Sequence, residues 1–253
     1  KLERDIPGNA PEHMHLKMSP LQQRLYAEAI VQFRAALKSA DGRGAMLAML
    51  HRLRTICSNP AAIAFEDAEF LPLDEHLQHS PKLEWILRHL ERIHSAGEKA
   101  IVFTEFRDVQ RLVQRAISAR FDLHAEVVNG STSVDPTSDQ SRQRVIDRYQ
   151  AKHGFNVIIL STTAVGFGVN IQAANHVIHF TRPWNPAKED QATDRAYRIG
   201  QTRSVHVYCP TVVAQGYESF DQRVDSLLRD KRALSRDMLA GVQELTVNDF
   251  NTL

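Results

Sequence analysis

Three features of the sequence predict an α/β fold whose parallel sheet is covered by helices on both faces. Five short apolar runs, at 99–104, 123–128, 156–161, 176–181 and 205–213, are rich in β-branched residues. Each is nearly continuous in its hydrophobicity, as a strand buried on both faces requires, whereas a half-solvated strand would alternate. Helical stretches lie between the runs, and hydroxyl, glycine and charged residues gather just after them, at the carboxyl ends where ligands of such sheets collect.

The 253 residues are enough to bury a full core in one or two domains. Lys and Arg number 31 against 30 Asp and Glu, so any nucleic-acid contact has to come from a local patch and not from net charge. Cys57 and Cys209 are isolated thiols, which suits a reducing compartment; Cys209, inside a strand-like run, reads as a small core residue. No apolar run reaches membrane-spanning length and no signal peptide opens the chain. His13 and His15 lack a Cys or carboxylate to complete a ligand set, so no metal site is expected.

In chain order, 1–17 reads as irregular, broken by Pro7, Gly8 and Pro11. Ser19-Pro20 caps a helix over 21–39 with Leu21, Leu25, Ile30, Phe33 and Leu37 on its apolar side. A turn at 41–44 leads to a helix over 45–56. Residues 61–79 are mixed and acidic and read as a surface loop or linker. Ser80-Pro81 starts a helix to 95 with Leu83, Ile86, Leu87, Leu90 and Ile93 as its buried stripe. Helices over 109–119 and 140–150 follow the first two strands. The tail, 216–239, is helical, with Phe220, Val224, Leu227 and Leu228 in one stripe. The expected domains are a helical segment at 1–79, an α/β lobe at 80–215 and a C-terminal helix at 216–253.

The richest chemistry lies at 191–201, Gln-Ala-Thr-Asp-Arg-Ala-Tyr-Arg-Ile-Gly-Gln. Pro186 suits a helix start and Gly200 a stop. On one helix, Gln191, Asp194, Arg195 and Arg198 would share a face, with Ala192, Ala196 and Ile199 opposite. Two guanidiniums, a carboxylate and an amide together can grip phosphate oxygens, although a surface helix with Asp194 paired between two arginines reads the same way. Residues 161–170, Ser-Thr-Thr-Ala-Val-Gly-Phe-Gly-Val-Asn, follow a strand with small and hydroxyl side chains that let backbone amides approach an anion. A dinucleotide Gly-x-Gly fails here, since Ile171 stands where the third glycine belongs. Thr104-Glu105-Phe106, Asn129-Gly130-Ser131-Thr132 with Arg142, and Trp184-Asn185-Pro186 also fall after strands, where plain strand-end turns or a core tryptophan are the rival readings. Neither Gly-x-x-x-x-Gly-Lys-[Ser/Thr] nor a strand followed by Asp-Glu-x-x occurs, so phosphate cradle and magnesium ligand are missing.

The 191–201 segment with Trp184-Asn185-Pro186 resembles the sixth helicase motif of Swi/Snf-type DNA-dependent ATPases, members of the second helicase superfamily. Tyr197, where remodelling members usually carry His, is similar to the bacterial and archaeal branch. The resemblance implies a RecA-like C-terminal lobe in which Arg195 and Arg198 are arginine fingers on ATP, with Gln191 and Asp194 beside them. Residues 161–170 resemble the fifth motif, implying DNA contacts for Ser161, Thr162 and Thr163 and nucleotide-side roles for Gly166, Gly168 and Asn170. Val165 departs from that motif's usual glycine pair. Thr104 and Phe106 resemble the fourth motif and Gly130 the segment after it, implying further DNA contacts. Trp184 and Asn185 are implied to lie near the DNA groove, though Thr181 and Pro183 replace the family's acids. Segment 1–79 resembles the helical link between the two motor lobes, and the tail resembles the helix that braces them.

The resemblance as a whole implies the C-terminal motor lobe of an ATP-driven double-stranded-DNA translocase. ATP and Mg2+ would be bound mainly by the N-terminal lobe of the same protein, so this chain alone would be inactive. Double-stranded DNA and that lobe are the implied partners, no membrane is involved, and the location is cytoplasmic and nucleoid-associated. A strand-separating helicase lobe and a non-catalytic DNA-binding or regulatory module are the alternatives.

Overall fold

The computed structural model describes residues 4–5, 14–36, 42–164, 169–197 and 201–237. The chain divides into two compact units. Unit 1 takes Lys1–Pro11, Trp85–Pro183 and Ala187–Pro210; unit 2 takes Glu12–Glu84, Trp184–Pro186 and Thr211–Leu253.

Unit 1 is built on six parallel strands: β1 (Arg4–Asp5), β3 (Lys99–Phe103), β4 (Glu126–Val128), β5 (Asn156–Leu160), β6 (His176–His179) and β7 (Val205–Tyr208). Their order is β1-β7-β6-β3-β5-β4. Every residue of β3, β5 and β6 is buried, which explains their uninterrupted apolar runs. Side chains alternate between faces. Ile101, Phe103, Ile158, Leu160, Val177, Val205 and Val207 pack with Val145, Ile146 and Tyr149 of α7 (Arg142–Ala151) and Ala192 of α8 (Pro186–Thr193). On the opposite face Tyr208 meets His89 of α5 (Pro81–Ser95) at 4.1 Å between ring centres. The end of α5 meets that of α6 (Arg107–Phe121), where His94, Phe121 and Phe155 form an aromatic cluster. The sheet is therefore covered on both faces, as expected. The connections out of β3 and β6, neighbours in the sheet, run in opposite directions, which makes the gap between their carboxyl ends the topological switch point.

Unit 2 joins the two ends of the chain. β2 (His15–Lys17) pairs in parallel with β8 (Thr211–Val213). Helices α1 (Pro20–Ala36), α2 (Gly42–Ser58) and α9 (Phe220–Asp237) enclose a core of Leu21, Leu25, Tyr26, Met49, Leu50, Leu53, Ile56, Val212, Phe220, Val224 and Leu228. Two capping boxes start α1 and α9. Ser19 Oγ accepts from the Gln22 amide at 3.2 Å while Gln22 Oε1 accepts from the Ser19 amide at 3.0 Å. Ser219 and Gln222 repeat the pattern at 3.2 and 2.9 Å. The Lys82 ammonium, 3 % exposed, sits 2.7 Å from Asp221, whose carboxylate also accepts the Val212 amide at 3.0 Å.

The structure corrects several expectations. The single strand expected at 205–213 is two strands in two sheets, because Cys209-Pro210 interrupts the ladder, and proline has no amide to donate. The irregular start contains β1 and β2, each too short for periodicity to reveal. The loop expected at 61–79 is α3 (Ala61–Ala64), a 3-10 turn (Ala68–Phe70) and α4 (Leu73–His79), fixed where the buried His76 ring nitrogen lies 2.8 Å from the Ala68 carbonyl. The turn expected from residue 41 gives way to helix at Gly42. Most consequentially, the helix expected to run through 191–199 ends at Thr193. Arg195 and Ala196 then make i→i−3 bonds of 3.2 and 3.0 Å, so the chain tightens into turns. Arg195 consequently does not sit on a regular helical face with Gln191, and Arg198 lies outside the described residues.

Candidate functional site

The candidate site grows from the carboxyl ends of β3, β5 and β6. The ladder overruns β3 and β5 by one residue and β6 by two: the Thr104 amide bonds the Leu160 carbonyl at 3.0 Å, the Ser161 amide the Val128 carbonyl at 3.0 Å, and the Thr181 amide the Phe103 carbonyl at 3.3 Å. This places Thr104, Ser161 and Thr181 side by side at the switch point. Thr181 donates its hydroxyl to Thr104 Oγ1 at 3.1 Å and accepts the Glu105 amide at 3.3 Å. Thr104 is fully buried and Ser161 is 3 % exposed. Both hydroxyls, expected to touch DNA, are bonded inside the protein, where they hold the loops in place.

What reaches the surface is the next layer. Thr162 is half-buried and Thr163 exposed. Both turn toward Glu105, a residue that no local pattern singles out. Its Oε1 accepts the Thr162 amide at 2.7 Å and the Thr162 hydroxyl, while Oε2 accepts the Ser161 hydroxyl at 2.8 Å. The Thr163 hydroxyl lies 3.3 Å from Oε2 and 2.7 Å from Ser161 Oγ. Phe106 occupies the N-cap of α6 in extended conformation, without a side-chain cap bond.

The loop after β4 is tied to the same place. Gln110 donates to the Thr104 carbonyl at 2.8 Å and accepts from Asn129 at 2.8 Å. Asn129 Oδ1 in turn accepts the Ser131 amide at 3.0 Å and the Ser131 hydroxyl at 2.6 Å, leaving Gly130 exposed at the tip. Arg142 bridges the two loops, donating to the Ala164 carbonyl at 2.9 Å and the Thr132 carbonyl at 3.3 Å.

Arg195 is half-buried, and its Nη1 donates to the Val169 carbonyl at 3.4 Å. Its own carbonyl accepts the Ile171 amide at 2.8 Å, so Arg195 clamps the far end of the segment that begins at Ser161. Asn170, Gln191 and Asp194 are exposed; Gly166 and Gly168 lie outside the described residues. Gln201 has a structural job: its buried amide donates to the carbonyls of Gln172, Ala174 and Ala196 at 2.9–3.2 Å. Arg182 and Glu189 form a two-pronged pair at 2.7 and 2.8 Å, with side chains 10 % and 4 % exposed, which fixes the approach to α8. Trp184 and Asn185 belong to unit 2, where Trp184 packs on the helical core 6.3 Å from Phe220.

Among the described residues no group of three or more His, Cys, Asp or Glu could hold a metal, and no helix is long and apolar enough to cross a membrane.

A parallel sheet with hydroxyl-bearing loops at its switch point is the arrangement of a helicase lobe, and residues 81–200 match the helicase conserved C-terminal domain. The chain carries a RecA-like helicase C-terminal domain of the kind found in Swi2/Snf2-family ATPases. Zorya protein ZorD of Escherichia coli O139:H28 (strain E24377A / ETEC) is 45 % identical over all of this chain, which covers 23 % of that protein. YwqA of Bacillus subtilis (strain 168), named for the ATP-dependent helicases and translocases, is 32 % identical over all of this chain and 27 % of its own length. The chain thus spans about a quarter of the length of these curated relatives. The Sulfolobus solfataricus SWI2/SNF2 ATPase core in complex with dsDNA superposes with a TM-score of 0.68 at 29 % identity, covering 88 % of this chain and 44 % of that one. The C-terminal domain of that ATPase shares the fold, with a TM-score of 0.67 at 24 % identity over 90 % of this chain and 88 % of that one.

Proposed function

We propose that the chain is the C-terminal motor lobe of a longer ATP-driven double-stranded-DNA translocase. In this reading Arg195 serves the nucleotide, and Thr162, Thr163 and the Gly130 tip serve the DNA backbone. One observation supports it above the others: the segment from Ser161 to Ile171 carries hydroxyl donors at one end and is clamped by Arg195 at the other. A guanidinium drawn toward a phosphate would release its hold on Val169 and so change the loop that carries the donors. That is a physical link between nucleotide state and grip on DNA. The dsDNA-bound Sulfolobus relative and the ATP-dependent names of the bacterial relatives point the same way.

ATP with Mg2+ would supply the phosphoryl group to be hydrolysed, held mainly by the N-terminal lobe of the same protein. On this chain Arg195 is proposed to face the phosphate end of that site, and the ion is proposed to be held by that lobe. Arg198, Gln191, Asp194, Gly166, Gly168 and Asn170 are proposed as its neighbours. Trp184 and Asn185 are proposed to flank the DNA, and segments 1–79 and 216–253 to link and brace the motor. The chain alone is proposed to be inactive as an ATPase.

The test is made in the whole protein, with Arg195→Lys and Arg195→Ala. A finger stabilises charge that develops in the transition state more than charge already on bound ATP. DNA-stimulated hydrolysis should fall by roughly 10³-fold, nucleotide affinity should change far less, and lysine should not rescue a two-pronged donor. Near-normal turnover in Arg195→Lys, or losses that merely follow melting temperature, would reject the assignment.

A further inference from the structure

We infer that Glu105 is an internal competitor of the DNA backbone: its carboxylate occupies the Thr162 and Thr163 donors that a backbone phosphate would use, and so sets the strength of DNA binding. The inference rests on the reading of the Ser161–Thr163 loop as part of a DNA track.

The chemistry of the donor set carries it. The Thr162 amide and the hydroxyls of Ser161, Thr162 and Thr163 converge on one anionic group. Ser161 donates to Glu105, and Thr163, 2.7 Å from Ser161 Oγ, can donate to Ser161 as a relay or directly to the carboxylate. Such a set presents donors only in the direction of the ligand, which is what an anion with two equivalent oxygens requires. A carboxylate and a phosphodiester each offer two such oxygens. The ligand present is the protein's own, and it comes from the loop after a different strand, β3, 56 residues from Ser161 in sequence.

Placement makes exchange feasible. Glu105 is half-buried, Thr162 is half-buried and Thr163 is exposed, so the donors have an open side. Glu105 follows the fully buried Thr104, whose hydroxyl is bound to Thr181, so the backbone that carries the carboxylate is anchored independently of the bonds its side chain makes. A phosphate arriving at Thr162 and Thr163 must displace a charge-assisted set of hydrogen bonds and then tolerate the released carboxylate nearby. Both effects weaken binding. A neutral acceptor in the same place would give way more readily and repel nothing.

The experiment titrates a fluorescent duplex with the full 253-residue chain. It compares wild type with Glu105→Gln, Glu105→Ala and Asp108→Asn, at several salt concentrations and with a melting curve for each. Asp108 lies on α6, outside this donor set, and measures the general effect of removing one negative charge. The expected result is binding tighter by roughly tenfold in Glu105→Gln and Glu105→Ala, the scale of one charge-assisted hydrogen bond, against a much smaller gain for Asp108→Asn. Weaker or unchanged binding by either folded Glu105 variant would overturn the inference, making Glu105 a support for the loop, while the DNA-track reading would stand on the wild type's own salt-dependent binding. Equal gains in Asp108→Asn would also overturn it, as bulk electrostatics. If neither wild type nor variants bind duplex, inference and reading fall together; if only the Glu105 variants bind, the inference holds in its strongest form.

Discussion

The two units bury polar groups for different ends. In unit 2 the helix-capping polar side chains are bonded from within: Gln22, fully buried, donates to the Ile56 carbonyl at 2.9 Å, and Ser219, also fully buried, caps α9. Lys82 and Asp221 face each other at 2.7 Å. In unit 1 a buried layer, Thr104, Ser161 and Thr181, supports an outer layer, Glu105, Thr162 and Thr163, that is open on one side. The contrast separates polar burial that fixes a fold from polar burial that presents a site. A saturated donor buried in the core has nothing left for a ligand, whereas a saturated donor at a surface holds a place that another anion can take.

The largest test of this contrast uses the two buried ion pairs, one in each unit. Removing one partner of a buried pair leaves a desolvated charge and costs about 3–5 kcal/mol. Lys82→Met should therefore destabilise unit 2, and Arg182→Met, which removes the two-pronged partner of Glu189, should destabilise unit 1. The two tryptophans separate the readouts, since Trp85 lies in unit 1 and Trp184 in unit 2. Urea unfolding of single-tryptophan variants should show each substitution moving one transition more than the other. Adding Asp221→Asn to Lys82→Met removes the stranded charge while keeping an acceptor for the Val212 amide, and should recover much of the loss. Coincident shifts in both tryptophan signals would mean that the units unfold as one, and the contrast would lose its energetic basis.

A smaller effect comes from the caps. Ser19→Ala and Ser219→Ala each break one capping box of unit 2, at about 1 kcal/mol apiece, read from the Trp184 transition. Ser141→Ala removes the plain cap of α7 in unit 1, where the Ser141 hydroxyl accepts the Arg144 amide at 3.4 Å. That longer, one-way bond should cost less. A larger loss at Ser141 than at Ser219 would show that reciprocal capping adds nothing here.

How much of the fold and site is legible in the sequence depends on the range of each interaction. The unbroken runs of β3, β5 and β6 announce two-sided burial, and Ser19-Pro20 and Ser80-Pro81 announce helix starts, because those signals lie within a few residues. The run at 205–213 reads as one strand because both halves are apolar; only its partners, β6 and the distant β2, assign them to different sheets. Periodicity overextends the helix through Arg195 because it counts residues, whereas the turns after Thr193 are set by the Ile171 amide bonding the Arg195 carbonyl. For the candidate site, the strand ends are visible in the sequence and the bonds made within them are not. Thr104 and Ser161, whose DNA contacts only the resemblance implies, are buried, and the bonds of Glu105 form only when β3 and β5 lie side by side. The Arg182–Glu189 pair escapes sequence reasoning although its partners are only seven residues apart, since the sequence does not reveal that both are buried.

The smallest predicted effect lies at the opposite end of the sheet, and asks whether a polar cluster there behaves as fold or as site. His176 opens β6 with its Nε2 2.6 Å from Glu98 and its Nδ1 3.2 Å from the Tyr208 hydroxyl; the His206 ring lies 5.2 Å away. Burial pushes the His176 imidazole below its ordinary 6.5, outweighing the pull of Glu98, while His206 and Arg203 push the same way. Glu98 is held below its ordinary 4.5: burial works against this, but hydrogen bonds from His176 and Asn175 prevail. Both groups therefore bind protons less readily folded than unfolded. The stability they contribute is complete above about pH 6.5, falls first as the unfolded chain's histidine protonates, and falls again below about pH 4.5 as the unfolded carboxylate does. The Trp85 transition in urea should accordingly move to lower urea between pH 7.5 and 5.5. His176→Gln, which keeps a donor toward Glu98 but cannot titrate, should flatten that interval and leave the more acidic one. In unit 2, which does not contain this cluster, the Trp184 transition should move less over the same interval. Equal slopes for the two tryptophans, or an unchanged slope in His176→Gln, would move the origin of the pH dependence away from this cluster.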